Sequence, residues 1–312
     1  MKTFQLPGTD LVAPQVTLGT MRINTLTDEA IRALYDAAMD SGVNFFDHAA
    51  VYGGAPHVCE TRFARALKLT ASQREAIILQ TKAGIVQGEL GWRFDFSYEE
   101  LTTSVDASLK ALRTDYIDIL LLHRPDALVE PDEVARAFDE LHAAGKVRWF
   151  GVSNHTPAQI ELLAASVRQP LVVNQVQASL THCPAIAQGV AANMSWTDQS
   201  VVRDGGMVDY ARLNHMTLQA WSPYQNPDWS GTFLGNPDQP QLNAVLTRLA
   251  DQYKVTPMGV ATAWLLRHPA NWQVVLGTMN PDHLREAVAG AGVTLTRPEW
   301  YELFEAAGYI IP

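Results

Sequence analysis

The sequence predicts a closed parallel (β/α)8 barrel, on three observations. Eight short apolar runs recur along the chain, amphipathic helix patterns fill the gaps between them, and several runs are apolar at successive positions rather than alternating. Continuous apolar strands are expected where a parallel sheet is covered by helices outside and filled by side chains within. Eight strand–helix units suit a barrel better than an open sheet. The 312 residues fit one such domain, 1–312, because closed α/β barrels reach this length on a single core.

The expected strands are Gln15–Gly19, Val43–Phe46, Ile77–Gln80, Tyr116–Leu122, Val147–Val152, Leu171–Val176, Thr217–Ala220 and Gln273–Leu276. Helix starts are marked between them. Thr27 and Asp28 precede Glu29–Asp40, with Gly42 as a stop, and Ser97 with Glu100 forms a capping-box pattern opening a helix to about Arg113. Pro131 opens the next helix, which ends near Gly145, and Thr156-Pro-Ala-Gln159 starts another. Thr3–Leu6 and Leu11–Ala13 flank the turn Pro7-Gly-Thr-Asp10, which predicts a small hairpin ahead of the barrel. Between Pro184 and His215 the pattern blurs, predicting extra loop with at most a short helix from about Met207. The proline-rich stretch Gln225–Gln241 is expected to be irregular as well. Extra loops of this kind fall at the catalytic mouth of a barrel.

Composition narrows the function. The chain is 47% hydrophobic with a net charge of -10, which argues against a broad nucleic-acid surface. One phosphate pocket remains compatible, since helix ends and backbone amides supply it locally. No apolar run approaches the roughly 18 residues of a membrane span, and the start, Met-Lys-Thr-Phe-Gln-Leu-Pro-Gly, has no signal-like apolar core. Cys59 and Cys183 make no disulfide framework, and no Cys/His spacing suggests a metal site. A reducing cytoplasm is the simplest expected location; oligomeric state is not readable.

Chemistry concentrates at the strand ends. Asp47, Lys82 and His123 each follow an apolar run, and Tyr52 lies one loop step beyond Asp47. In a barrel the carboxyl ends of the strands face the catalytic mouth. A lysine beside a tyrosine favours the phenolate and is expected to lower the phenol's pKa from about 10. A carboxylate would hold that lysine charged, and a histidine would bind a substrate oxygen. The set is what reducing a carbonyl requires. Each residue alone also fits a duller role: a buried Asp47–Lys82 pair, a loop tyrosine, a core histidine. Four together at matched strand ends make the joint reading the stronger one.

The ordered motifs resemble the aldo-keto reductase superfamily over nearly the whole chain, and within it the bacterial YdhF-like oxidoreductase branch. They are Asp47-His-Ala-Ala-Val-Tyr52, Thr81-Lys82, Leu122-His123-Arg124-Pro125-Asp126, Gly145-Lys-Val-Arg-Trp-Phe-Gly-Val-Ser-Asn154, Val173-Asn-Gln-Val-Gln177 and Ala220-Trp-Ser-Pro223. The resemblance implies a TIM barrel that reduces an aldehyde or ketone with a nicotinamide cofactor. Tyr52 would be the general acid, Lys82 its electrostatic partner, Asp47 the anchor of Lys82, and His123 the group orienting the carbonyl. Ser153, Asn154 and Gln175 match positions that hydrogen-bond the carboxamide, Trp221 matches an aromatic that stacks on the ring, and Ser222 follows it. Gly277, Thr278 and His283 match the segment that binds the adenosine phosphate.

Two positions depart from the family. A lysine after the last strand and an arginine in the following helix turn are common, whereas this chain has Gly277 and His283, with Arg285 nearby. NADPH is the cofactor implied, and NADH stays open. His48 replaces the usual threonine at a position expected to affect packing. Met21, Trp92, Arg124, Trp196 and Tyr224 are candidates for the substrate pocket by position. Arg124 either attracts an anionic substrate or, as the expected arrangement, pairs with Asp126. Two other classes stay in view: a cofactor-binding regulatory relative without turnover, and a nicotinamide-independent barrel hydrolase or isomerase using Asp47 and His123. The Ser153–Asn154, Gln175 and Trp221–Ser222 series weighs against the last of these.

Overall fold

The computed structural model describes residues 1–88 and 91–312. Strands β1 (Thr3–Gln5) and β2 (Val12–Pro14) form an antiparallel hairpin, and β3 (Val16–Gly19) then starts the barrel. Helix α1 (Asp28–Asp40) leads to β4 (Phe45–Asp47); α2 (Val58–Leu67) and α3 (Ala71–Glu75) lead to β5 (Ile78–Ala83). A second antiparallel pair, β6 (Ile85–Gly88) and β7 (Gly91–Phe94), precedes α4 (Tyr98–Leu112) and β8 (Ile117–Leu122). Then come α5 (Pro131–Ala143), β9 (Val147–Ser153), α6 (Pro157–Ala164), β10 (Leu171–Gln177), α7 (Pro184–Val190), α8 (Met207–Leu213) and β11 (Thr217–Trp221). The chain ends with α9 (Pro240–Tyr253), α10 (Pro257–Arg267), β12 (Trp272–Leu276), α11 (Pro281–Gly290) and α12 (Arg297–Ala306). Among the described residues no helix is long and apolar enough to cross a membrane.

The eight strands β3, β4, β5, β8, β9, β10, β11 and β12 close in that order into a barrel, every pair parallel. Closure leaves no sheet edge. The apolar core is the layer between strands and helices, with residues such as Phe46, Leu120, Phe150 and Val274 buried. A smaller cluster joins Leu6 and Ala13 of the hairpin to Phe45, Ile119, Leu121 and Val173. Since β2 runs directly into the start of β3, the hairpin plugs the amino-terminal end of the barrel and leaves the opposite end open.

Several expected boundaries shift. Asp47 is the last residue of β4 and Lys82 lies inside β5, not beyond it, because strand pairing continues past the apolar run: Asp47 is registered with Gln80, and Lys82 with Leu121. The stretch from Pro184 holds a full helix, α7, besides the expected one from Met207; Ile186 and Ala187 bury against the core although the sequence around them lacks a clean period. The β6–β7 hairpin was not expected either, since its four-residue strands carry no buried face: β7 is exposed along its length.

Helix caps agree closely with the sequence. Thr27 accepts from the Ala30 N–H, Ser97 from the Glu100 N–H, and Thr156 and Gln159 form a reciprocal box. Helices α10 and α11 touch through paired glycines: a Cβ at Gly290 would lie 2.0 Å from the Gly259 carbonyl oxygen. The obstructing atoms all belong to the Gly259 backbone, so they cannot rotate away. Gly290→Ala is therefore expected to cost about 1–3 kcal/mol or more by overpacking, read as a fall in urea midpoint. A variant unfolding together with the wild type would show that the two helices part freely.

Candidate active site

Side chains in a strand alternate between faces, and this places the polar residues of β4 and β5. Asp47, Gln80 and Lys82 point into the barrel, whereas His48 and Thr81 point outward. Lys82 Nζ donates to both carboxylate oxygens of Asp47 at 2.7 Å, to the His48 carbonyl at 2.8 Å, and to Tyr52 Oη at 3.0 Å. Both charged side chains are almost completely buried, at 0% and 3% exposure. Asp47 Oδ1 also accepts from Gln80 Nε2 at 2.6 Å and Gln175 Nε2 at 3.1 Å. Those amides continue to Gln219 and Gln273, and Gln273 donates to the Pro14 carbonyl. A belt of glutamines thus crosses the barrel from the hairpin to the carboxylate. Nothing in the apolar periodicity announced it, because a glutamine inside an apolar run reads as an outward residue.

On the outward face, Glu60 of α2 accepts from Thr81 Oγ1 at 2.6 Å and Ser108 Oγ at 3.2 Å, and bonds His57 Nδ1 at 2.6 Å. Burial opposes its charge, but the His57 and Thr81 hydrogen bonds hold its carboxyl below the usual range. His48 packs edge-on against Phe63 and shares a 2.8 Å hydrogen bond with Thr20 Oγ1. Burial pulls its pKa to about 4, so the ring is neutral. The departure at His48 is a packing feature, as expected.

Tyr52 and His123 complete the site from loops. The His123 N–H donates to the Ala83 carbonyl, and its ring stands edge-on to Tyr52 with centroids 5.7 Å apart. Its ring nitrogens bond nothing among the described residues, and burial with Lys82 and Arg124 nearby depresses its pKa well below 6.5. The expected lowering of the Tyr52 pKa is reversed. Burial raises it first, and the Lys82 ammonium offsets that only in part, so the phenol remains above 10. Burial also acts on Lys82, pulling its pKa down, but Asp47 and Tyr52 outweigh it and the net shift is upward.

Asp47, Tyr52 and His123 border a cavity of about 1170 Å3, which runs from Tyr52 and His123 past Trp221 and Ser222 to Gly277, Thr278, Asn280 and His283. It exceeds a drug-sized pocket and has room for a dinucleotide beside a small substrate. Ser153, Asn154 and Gln175 line it too. Both Asn154 amide hydrogens are used, to the His123 carbonyl and Ser153 Oγ, and its Oδ1 accepts from Trp221 Nε1. Gln175 Oε1 by contrast accepts from nothing among the described residues and can take an amide N–H. Asn154 and Ser222 turn the chain sharply at the ends of β9 and β11, with φ of +62° and +52°, a strain typical of functional loops. The donor and acceptor set fits a nicotinamide cofactor.

Of the proposed pocket residues, Met21, Arg124 and Tyr224 border the cavity, while Trp92 and Trp196 do not; they stand 59% and 62% exposed elsewhere. Tyr224 Oη is tied to Thr262 Oγ1 at 2.7 Å. Arg124 does not pair with Asp126, whose carboxylate instead accepts the Phe96 and Leu128 N–H groups. Arg285 pairs with Asp282 and is not among the cavity's lining. Among the lining residues that sequence reasoning missed are Arg22, Trp229, Asn280 and Glu286. Arg22 was discoverable: it directly follows Met21 past the end of β3. Its guanidinium fills the space at Gly277, where a Cβ would come within 2.7 Å of Nη2.

The model of the aldo/keto reductase family matches residues 15–307. The chain belongs to that family. It is 32% identical to the oxidoreductase YcsN of Bacillus subtilis over the full length of both chains. It is 34% identical to the oxidoreductase YdhF of Escherichia coli, covering 88% of this chain and 86% of that one. With the 6-dehydroglucose reductase of Agrobacterium fabrum it shares 32% identity over 94% of each chain.

In this aldo/keto reductase the buried Lys82–Asp47 pair is a structural commitment. Lys82→Met leaves a buried carboxylate without its cation and is expected to destabilise the fold by about 3–5 kcal/mol. Adding Asp47→Asn should restore much of that loss. Urea unfolding of the single and double variants decides it; a single variant as stable as the wild type would sink the argument.

Proposed function

We propose that the protein reduces an aldehyde or ketone to an alcohol with NADPH, Tyr52 acting as general acid. The observation carrying this reading is the Lys82 ammonium, chelated by Asp47 on one side and 3.0 Å from Tyr52 Oη on the other. When bound, the nicotinamide supplies the hydride that the carbonyl carbon accepts. Tyr52 gives its hydroxyl proton to the carbonyl oxygen, and the phenolate left behind is held by Lys82. The raised pKa of Tyr52 keeps that proton in place at neutral pH. His123, neutral and unbonded, orients the carbonyl oxygen beside it. Ser153, Gln175, Trp221 and Ser222 would hold the nicotinamide half, with Asn154 bracing Trp221. Gly277, Thr278, His283 and Arg22 would hold the phosphates. Asp47 is consumed by Lys82 and two glutamines, which argues against its being the base of a hydrolase or isomerase.

Tyr52→Phe is expected to lower kcat by about 10²–10⁴-fold while NADPH still quenches tryptophan fluorescence. A variant turning over at the wild-type rate would end the proposal. The reduction rate should hold through neutral pH and fall only on the alkaline side, above about 10, as Tyr52 loses its proton. It should show no break near 6.5, since His123 is already neutral there. A break at that pH would overturn the neutral role of His123.

The NADPH assignment rests on Arg22 and His283, the cationic and hydrogen-bonding groups at the far end of the cavity. A carbonyl panel run with NADPH and NADH in parallel, followed by nicotinamide absorbance, should give the higher kcat/KM with NADPH. Equal values would remove the NADPH preference and leave the reductase reading standing.

A further inference from the structure

Among the described residues, the end of the cavity that holds Tyr52 and His123 carries one charge with nothing to balance it. Arg124 directly follows His123, lines the cavity, and is half-buried. Its guanidinium stands 5.7 Å from the centroid of the Trp221 ring. Among the described residues its side chain makes no hydrogen bond and no ion pair. The carboxylate two residues on, Asp126, is spent on the Phe96 and Leu128 N–H groups at 3.0 and 2.9 Å. The other carboxylate at this end, Asp47, is spent on Lys82, Gln80 and Gln175. Glu286 borders the cavity from α11, at the end formed by Asn280 and His283.

Arginines withdrawn from water are ordinarily paired. An unpaired one is more conspicuous in a chain whose net charge is -10, where carboxylates outnumber cations and partners are plentiful. The planar fork of a guanidinium matches the paired oxygens of a carboxylate or phosphate. Its place beside His123 and Tyr52 puts such an anion next to the reacting carbonyl rather than along the cofactor's phosphates.

We propose that the carbonyl substrate carries an anionic group, a carboxylate or a phosphate a few atoms from the carbonyl, and that Arg124 binds it. This rests on the reductase reading above. The guanidinium lies over the indole of Trp221 at the cavity wall, so the residue selects substrates and takes no part in the proton transfer.

The test compares each anionic aldehyde with a neutral counterpart: succinic semialdehyde with butyraldehyde, and glycolaldehyde phosphate with glycolaldehyde. In the wild type the anionic member of at least one pair should lead in kcat/KM by about tenfold or more. Which pair shows it separates carboxylate from phosphate. In Arg124→Gln that ratio should fall to about one, through KM rather than kcat, and Arg124→Lys should recover part of it. A wild-type ratio near one, or a ratio untouched in Arg124→Gln, overturns the proposal. So does a loss of NADPH affinity in Arg124→Gln as large as the loss for the anionic aldehyde, which would place the guanidinium on the cofactor. Titration with succinate, read by tryptophan fluorescence, separates the two layers. Binding that is lost in Arg124→Gln upholds the anion site even if no aldehyde is reduced, and in that case only the reductase reading falls.

Discussion

The Lys82–Asp47 ion pair is the constraint around which the barrel interior is arranged. Two ions removed from water cost several kcal/mol each unless every donor and acceptor finds a partner. Here the ammonium is shared among the carboxylate, the His48 carbonyl and the Tyr52 hydroxyl, and the carboxylate takes two glutamine amides as well. The glutamine belt across the barrel follows from that need. It turns the middle of what would otherwise be an apolar barrel into a hydrogen-bonded scaffold that fixes where the ammonium sits. The Glu60 cluster holds Thr81 from the opposite face of the same strand, so β5 is pinned on both sides at the point where Lys82 leaves it.

That rigidity governs the chemistry. A phenol surrounded by protein has its pKa raised, and the adjacent ammonium works against the rise without cancelling it. Under the proposed function Tyr52 would be a donor that keeps its proton until an oxygen arrives to accept it, with the cation already in place for the phenolate. His123, held by its backbone and left with unbonded ring nitrogens, contributes a directional group without a charge. Under the proposed function the cavity divides into a chemical end under Tyr52 and His123 and an end near Gly277 that would take the cofactor's phosphates. At the second, a missing side chain makes room for Arg22.

The repeating architecture was legible because it is written locally. Strand runs, caps at Thr27, Ser97 and Thr156, the leading hairpin, and the order of motifs through Trp221 all depend on neighbours in sequence. Less legible were elements whose reason lies elsewhere in the molecule. Helix α7 owes its helicity to burial of Ile186 and Ala187 rather than to a clean period. The β6–β7 pair lacks the buried face that would mark it. The expectation that Arg124 pairs with Asp126 failed because that carboxylate accepts the N–H of Leu128, two residues on, and the N–H of Phe96 from a distant turn.

The sequence by itself determined the barrel, its family and which four residues, Asp47, Tyr52, Lys82 and His123, to look for at one end of it, because period, capping and motif order are properties of the chain read in one dimension. Only the tertiary structure decided the state of those residues. Burial set against charge fixes the direction in which Tyr52, Lys82 and His123 shift, and burial depends on what the other strands bring to the same few ångströms. It also decided which cations stay unpaired among the described residues, and so where Arg22 and Arg124 face the cavity, because a charge is free or spent according to neighbours that the chain order does not reveal.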